Sequence, residues 1–130
     1  MLLSMNVVYY RTIRDAELLI LDKPKKGSWL RVIDPTPQDL KELEQEYGLD
    51  ADLQEDGIDL YEAPRLEREE GNVYIYTRYC RPEGEYTSTN PLLIIITEDS
   101  VITVSRTAAE PLDALVARGE VVTTQKVKLV

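Results

Sequence analysis

Histidine is absent from all 130 residues, and cysteine occurs once, at Cys80. Without an imidazole there is no Ser/His/Asp or Cys/His proton relay and no histidine-bearing zinc site. A lone thiol forms no internal disulfide, which agrees with a reducing compartment. Apolar runs are short: the longest purely aliphatic one, Leu92 to Ile96, falls far below the roughly 20 residues of a membrane-spanning helix. The opening MLLSMNVVYY has no basic flank and is broken at Ser4 and Asn6, so it does not read as a secretory signal and the chain reads as soluble.

Glycine is sparse, and its six positions (27, 48, 57, 71, 84 and 119) fit neither dinucleotide-fold nor P-loop spacing. Positive charge is also in deficit, with 15 Lys and Arg against 24 Asp and Glu and a net charge of -9. Such a field repels phosphate polymers and anionic lipid and attracts cations, which argues against nucleic acid as a partner. The one basic cluster, Lys23, Lys25 and Lys26, is interrupted by Pro24 and followed by Gly27, the pattern of an exposed loop.

What remains is the profile of a globular chain, 43% hydrophobic and 30% charged. Its length suits one domain over residues 1–130, burying about two thirds of the surface of its unfolded state. Strands are expected at Val7 to Ile13 and Leu18 to Leu21, joined by a tight turn at Arg14 and Asp15, and at Trp29 to Ile33. Trp29 reads as a core anchor.

In DPTPQDLKELEQEYGL the helix signals agree: Thr36 as N-cap, Pro37 at the first helical position, Asp39 three residues past the cap and Gly48 as the stop. Leu40, Leu43 and Tyr47 fall on one face, opposite Lys41, Glu42, Gln45 and Glu46, so this helix should lie on a sheet.

One or two helical turns follow from Asp52 to about Asp59, before Pro64 turns the chain extended. Arg65 to Glu69 and Val73 to Arg81 read as strands around a turn at Glu70, Gly71 and Asn72, the second strand Tyr-rich and buried on both faces. Pro82 to Asn90 reads as a polar loop. PLLIIITEDSVITVS gives two more strands around Thr97 to Ser100, the first apolar enough to lie centrally. A third helix is expected from about Glu110 to Arg118, with Leu112, Leu115 and Val116 inward and Gly119 as its end. VVTTQKVKLV resembles the approach to another helix. The expected architecture is α+β: a mixed, largely antiparallel sheet of about seven strands with helices packed on its faces.

The chemistry-bearing stretch is EDGIDLYEAPRLE, residues 55–67, with five carboxylates and one Arg. On a helix, Glu55, Asp59 and Glu62 share a face, and Asp56 projects about 100° away. Three uses stay open: a solvated acidic surface, a carboxylate acid/base pair, or a seat for a hard divalent cation. The acid/base pair needs one desolvated carboxyl beside a wet one, and no pocket is evident. Magnesium asks less, since it keeps most of its waters and is often fixed by one or two carboxylates.

The order of these features resembles the amino-terminal cytoplasmic domain of the CorA family of magnesium transporters. The residues that carry the resemblance are Trp29, then Asp34, Pro35 and Thr36, then Tyr47, Gly48 and Leu49. Glu55 with Asp56, Pro64 with Arg65, Val73 to Tyr76, and Thr103 with Val104 complete the set. It covers about Trp29 to Ser105. Gln54 and Ala63 depart from it, standing where the family more often has an apolar and a basic residue.

The resemblance implies a regulatory domain on the cytoplasmic side of a membrane, in a homopentameric parent that conducts magnesium and often cobalt or nickel. It implies no enzyme activity. Asp56 and then Glu55 become the expected magnesium ligands, with partner carboxylates on a neighbouring subunit. The Gly-Met-Asn pore signature, the transmembrane helices and the long stalk helix of that family do not occur in these 130 residues. The resemblance therefore implies a domain cut before the stalk, self-associating through its parent and reaching the membrane only through the missing C-terminal part. A stand-alone binding module of the same fold and a small metal-dependent hydrolase are the competing expectations.

Overall fold

The computed structural model describes residues 6–83, 86–119 and 121–125. Seven strands form one sheet: β1 (Asn6–Tyr10), β2 (Leu19–Leu21), β3 (Trp29–Ile33), β4 (Arg65–Glu69), β5 (Asn72–Glu83), β6 (Tyr86–Ile96) and β7 (Val101–Ser105). Their spatial order is β2-β1-β3-β7-β6-β5-β4. Every pairing is antiparallel except β3 with β7, which runs parallel with Trp29 opposite Val101. The helices α1 (Pro37–Tyr47) and α2 (Ala51–Gly57) fill the connection from β3 to β4, and α3 (Glu110–Arg118) follows β7. The expected α+β sheet is the one observed.

β3 and β7 are buried at every position because both faces of the central sheet are covered. On one face Val8, Leu30, Val32, Tyr74, Tyr76, Leu93, Ile95, Ile102 and Val104 meet Leu43 of α1, Leu49 and, partly buried, Leu53 of α2. On the other, Tyr9, Trp29, Tyr79, Leu92 and Val101 meet Ala109 and Leu112 at α3. Trp29 is the anchor its sequence context suggests, fully buried, with its indole Nε1 donating to Thr103 Oγ1 at 2.9 Å. α3 is pinned electrostatically as well: the buried Arg31 donates through Nη2 to Asp113 Oδ1 at 2.7 Å.

α1 forms as its end signals require. Thr36 Oγ1 accepts from Asp39 N, Asp39 Oδ2 accepts from Thr36 N, and Gly48 closes the helix at φ 65°. That left-handed angle is one a residue with Cβ adopts only at a cost.

Two expectations change. The segment expected as a polar loop from Pro82 to Asn90 is instead the outer half of a long hairpin, in which β5 and β6 stay paired from Val73 with Ile96 out to Glu83 with Tyr86. Polarity misled the reading: Arg78 donates to Thr89 Oγ1 at 2.9 Å and to Thr89 O at 3.0 Å, a diagonal polar contact between the two strands that hydrophobic alternation does not announce. The part of that loop at 84–85 lies outside the described residues.

β1 stops at Tyr10, short of Ile13, because the carboxyl of Asp15 caps a local turn by accepting from Thr12 N at 2.9 Å and Thr12 Oγ1 at 3.1 Å. Those bonds hold Asp15 below the usual carboxylate range. Residues 121–125 form no helix, and the rest of the expected approach to a helix, 126–130, lies outside the described residues. Among the described residues no helix is long and apolar enough to cross a membrane.

Candidate functional site

α2 presents the acidic stretch, and its placement follows from its N-terminal cap, the burial of Gln54 and three contacts with the sheet, through Tyr74, Tyr76 and Leu93. Asp50 caps its start, accepting from Leu53 N at 3.0 Å. Tyr74 Oη accepts from Asp50 N at 3.0 Å, and Tyr76 Oη donates to Leu53 O at 2.7 Å. Gln54 is fully buried beneath the helix. Gly57 lies so close to β6 that a Cβ there would stand 2.7 Å from Leu93 Cβ. Burial pushes the phenols of Tyr74 and Tyr76 up, which keeps both as neutral hydrogen-bonding groups.

With one side of α2 fixed to the sheet, Glu55 is turned to solvent and Asp56 is half-exposed. The helix ends at Gly57, so Glu55, Asp59 and Glu62 do not continue along one helical face. The chain turns at Ile58 and Asp59, and Asp59 Oδ1 accepts from Tyr61 N at 2.9 Å.

This turn carries Glu62 back to Arg65, the first residue of β4. Arg65 Nη2 donates to Asp56 Oδ2 at 3.0 Å, Nε donates to Glu67 Oε1 at 3.1 Å, and Nη1 pairs with Glu62. The guanidinium also covers the ring of Tyr76, with Cζ 4.1 Å from its centroid. Desolvation works against the charge on Arg65, and the bonds to Asp56 and Glu67 outweigh it, holding its pKa above the ordinary value. Three carboxylates around one guanidinium leave an excess of negative charge at this corner, with Glu55 adding to it.

Of the two residues the sequence nominates, Asp56 therefore enters an intramolecular ion-pair cluster and Glu55 does not. Sequence reasoning named Glu62 and Arg65 but not as partners of Asp56, and it did not single out Glu67. A signal for them was present in the i, i+2 spacing of Arg65 and Glu67, which puts both on one face of a strand, and in Pro64 fixing where that strand starts.

The donor chemistry suits a hard divalent cation in kind, being two carboxylates with one in open solvent. It is sparse in number. Among the described residues no three acidic, histidine or cysteine groups stand together as a metal-holding set, so an ion at Glu55 and Asp56 would complete its shell with water or with oxygens from outside this chain.

The fold has solved counterparts. The chain superposes on the soluble domain of CorA from Methanocaldococcus jannaschii with a TM-score of 0.72 and 21% identity, over 96% of this chain and 52% of that one. The complete CorA magnesium transporter of the same organism gives 0.71 and 22%, over 88% and 36%. The cytoplasmic domain of ZntB from Vibrio parahaemolyticus gives 0.65 and 7%, over 88% and 50%. The chain thus spans between about a third and a half of these structures. No protein with a curated description matches it in sequence. The profile of the CorA-like Mg2+ transporter protein family matches residues 24–127, well over half of the chain, and the chain belongs to that family.

Proposed function

We propose that this chain is the cytoplasmic magnesium-sensing domain of a CorA-like transporter of divalent cations, magnesium foremost and cobalt among the others. The pore lies in a membrane part outside these residues, in a homopentameric parent. The family match over residues 24–127 carries this reading.

Support for the sensing surface comes from the exposed side of α2. Glu55 is open to solvent, Asp56 is half-exposed, and the adjoining turn holds out Leu60, 40% exposed, and Tyr61, 93% exposed. Apolar side chains held out beside carboxylates suit contact with a second subunit. In the proposed assembly Glu55 and Asp56 face acidic groups of a neighbour. Unscreened, those groups repel. A bound divalent ion supplies the two positive charges that offset the repulsion. Loss of that charge leaves the carboxylates to push the subunits apart, biasing the parent between two arrangements. Glu55 and Asp56 act here as ligands and not as proton-transfer groups.

Calorimetric titration of the isolated chain with Mg2+ tests the reading of the site. Weak binding is expected, because two carboxylates and water make an incomplete seat. Sub-micromolar affinity in a monomeric chain would contradict a site shared between subunits.

A further inference from the structure

We propose that Tyr61 of one copy of this chain seats in the groove between β2 and α3 of a second copy, joining the two head to tail. The proposal rests on the self-association proposed above, names the two surfaces that make it, and needs no cation at Glu55 and Asp56.

Among the described residues, the exposed large apolar side chains fall at the two edges of the sheet and nowhere else. Ile13, Leu19 and Ile20 belong to the β1–β2 connection and to β2, at one edge; Leu60, Tyr61 and Leu66 belong to the α2–β4 connection and to β4, at the other. Tyr61 stands furthest out, at 93% exposure. A phenol ring held in water forgoes the large apolar burial open to it, and tyrosine is enriched among the side chains that anchor protein contacts.

The counterpart lies at the β2 edge. A groove of about 360 Å³ opens there between β2 and the end of α3. Tyr9, Leu18, Ile20 and Val116 make its apolar wall, and Glu17 and Arg118 its charged side. Its volume is at the lower end of ligand-holding clefts, with room for one aromatic ring.

The ring and the groove do not meet within one molecule. β2 and β4 lie six inter-strand steps apart, roughly 29 Å at the usual strand spacing. The groove that receives Tyr61 therefore belongs to another copy. Charge agrees with this pairing. From Asp50 to Glu70 nine acidic residues stand against two basic ones, whereas from Arg11 to Lys26 five basic residues stand against three acidic. Arg118 adds positive charge at the groove itself, opposite the Asp59 and Glu62 that flank Tyr61 in sequence.

β2 has only three residues, and β4 reads RLERE. A short edge strand and a charged one both resist strand addition, so side chains carry the contact and the sheet does not continue from copy to copy. The two surfaces differ, which makes the contact heterologous, the kind that closes a ring when its rotation allows.

Sedimentation velocity of the 130-residue chain over a concentration series tests this. The wild type should associate weakly and reversibly. Tyr61→Ala removes the ring and leaves the groove, while Ile20→Asp with Arg118→Glu sets acidic groups at the groove and leaves the ring. Each variant alone should associate about thirty-fold more weakly, the factor that goes with loss of an anchoring side chain. Mixed, the two should form a dimer at wild-type affinity and nothing larger, because one intact ring meets one intact groove. Should the double variant fail to melt cooperatively, Arg118→Glu alone takes its place, with a smaller loss and the same dimer on mixing.

A wild type that stays monomeric throughout overturns the docking, and so does a mixture that forms no dimer. Association unchanged by both variants also overturns it, while self-association through another surface stands. The mass of the full-length transporter in detergent reads the parent's assembly separately, so failure of the docking and failure of that reading are told apart.

Discussion

Arg65 Nη2 stands 3.0 Å from Asp56 Oδ2, tying the first residue of β4 to the last turn of α2. Both side chains keep contact with water, at 28% and 43% exposure, so the tie contributes little to folding. Asp56→Asn should lower stability by less than about 1 kcal/mol in urea denaturation, the range of solvent-exposed ion pairs. Any larger effect on a response to Mg2+ is then a property of the site and not of a weakened fold. A loss several times larger would show that Asp56 belongs to the scaffold.

Gly57 is the point at which α2 comes closest to the sheet. A Cβ there would meet Leu93 Cδ2 at 2.4 Å and Leu93 Cβ at 2.7 Å, and the latter is no flexible side-chain tip. Gly57→Ala should destabilise the protein by about 1–3 kcal/mol through overpacking, despite alanine's better helix propensity. Thermal unfolding of the variant reads this directly, and an unchanged midpoint would mean that α2 can lift from Leu93 without cost.

Gln54 is fully buried, donates through Nε2 to Leu40 O at 3.2 Å and leaves Oε1 without a partner. Gln54→Met keeps the volume and removes the orphaned acceptor, so a gain of about 1 kcal/mol is expected. A loss would show that the bond to Leu40 outweighs the unpaired oxygen. The polar side chain at this buried position thus has a physical consequence that equilibrium unfolding measures.

Burial pushes the phenol of Tyr47 up to about 12, from an ordinary value of 10.0, and Tyr74 and Tyr76 up as well. A raised folded-state value means that the folded protein holds its proton where the unfolded chain has released it. Stability from these groups is fully present below about pH 10 and declines as pH rises through the folded values. Denaturation midpoints should be flat with respect to these groups up to about pH 10 and fall from there toward pH 12, with tyrosinate absorbance lagging behind that of the unfolded chain. Tyr47→Phe should flatten the alkaline fall.

The sequence made α1, α3 and the strand content legible because their signals are local. Thr36, Pro37, Asp39 and Gly48 specify a helix with both ends closed, and the structure shows each in its role. The outer half of the β5–β6 hairpin was hidden because its residues lack apolar alternation, and contacts such as the diagonal one from Arg78 to Thr89 leave no periodic trace. At the candidate site, the sequence nominated Glu55 and Asp56 but not the cluster around Arg65. That cluster depends on α2 ending at Gly57 and on the turn that brings Glu62 back to β4, and tertiary closeness to Leu93 governs where α2 sits. Spacing along the chain puts Arg65 and Glu67 on one strand face but encodes neither the end of α2 nor the return of Glu62.

In the proposed assembly the Glu55 and Asp56 corner senses a divalent cation. Limited proteolysis of the full-length transporter, with and without Mg2+, tests it most directly. Mg2+ should slow cleavage of the wild type, and Asp56→Asn should shift that protection to higher Mg2+ or abolish it. Protection identical in the wild type, in Asp56→Asn and in the double variant with Glu55→Gln would contradict the account.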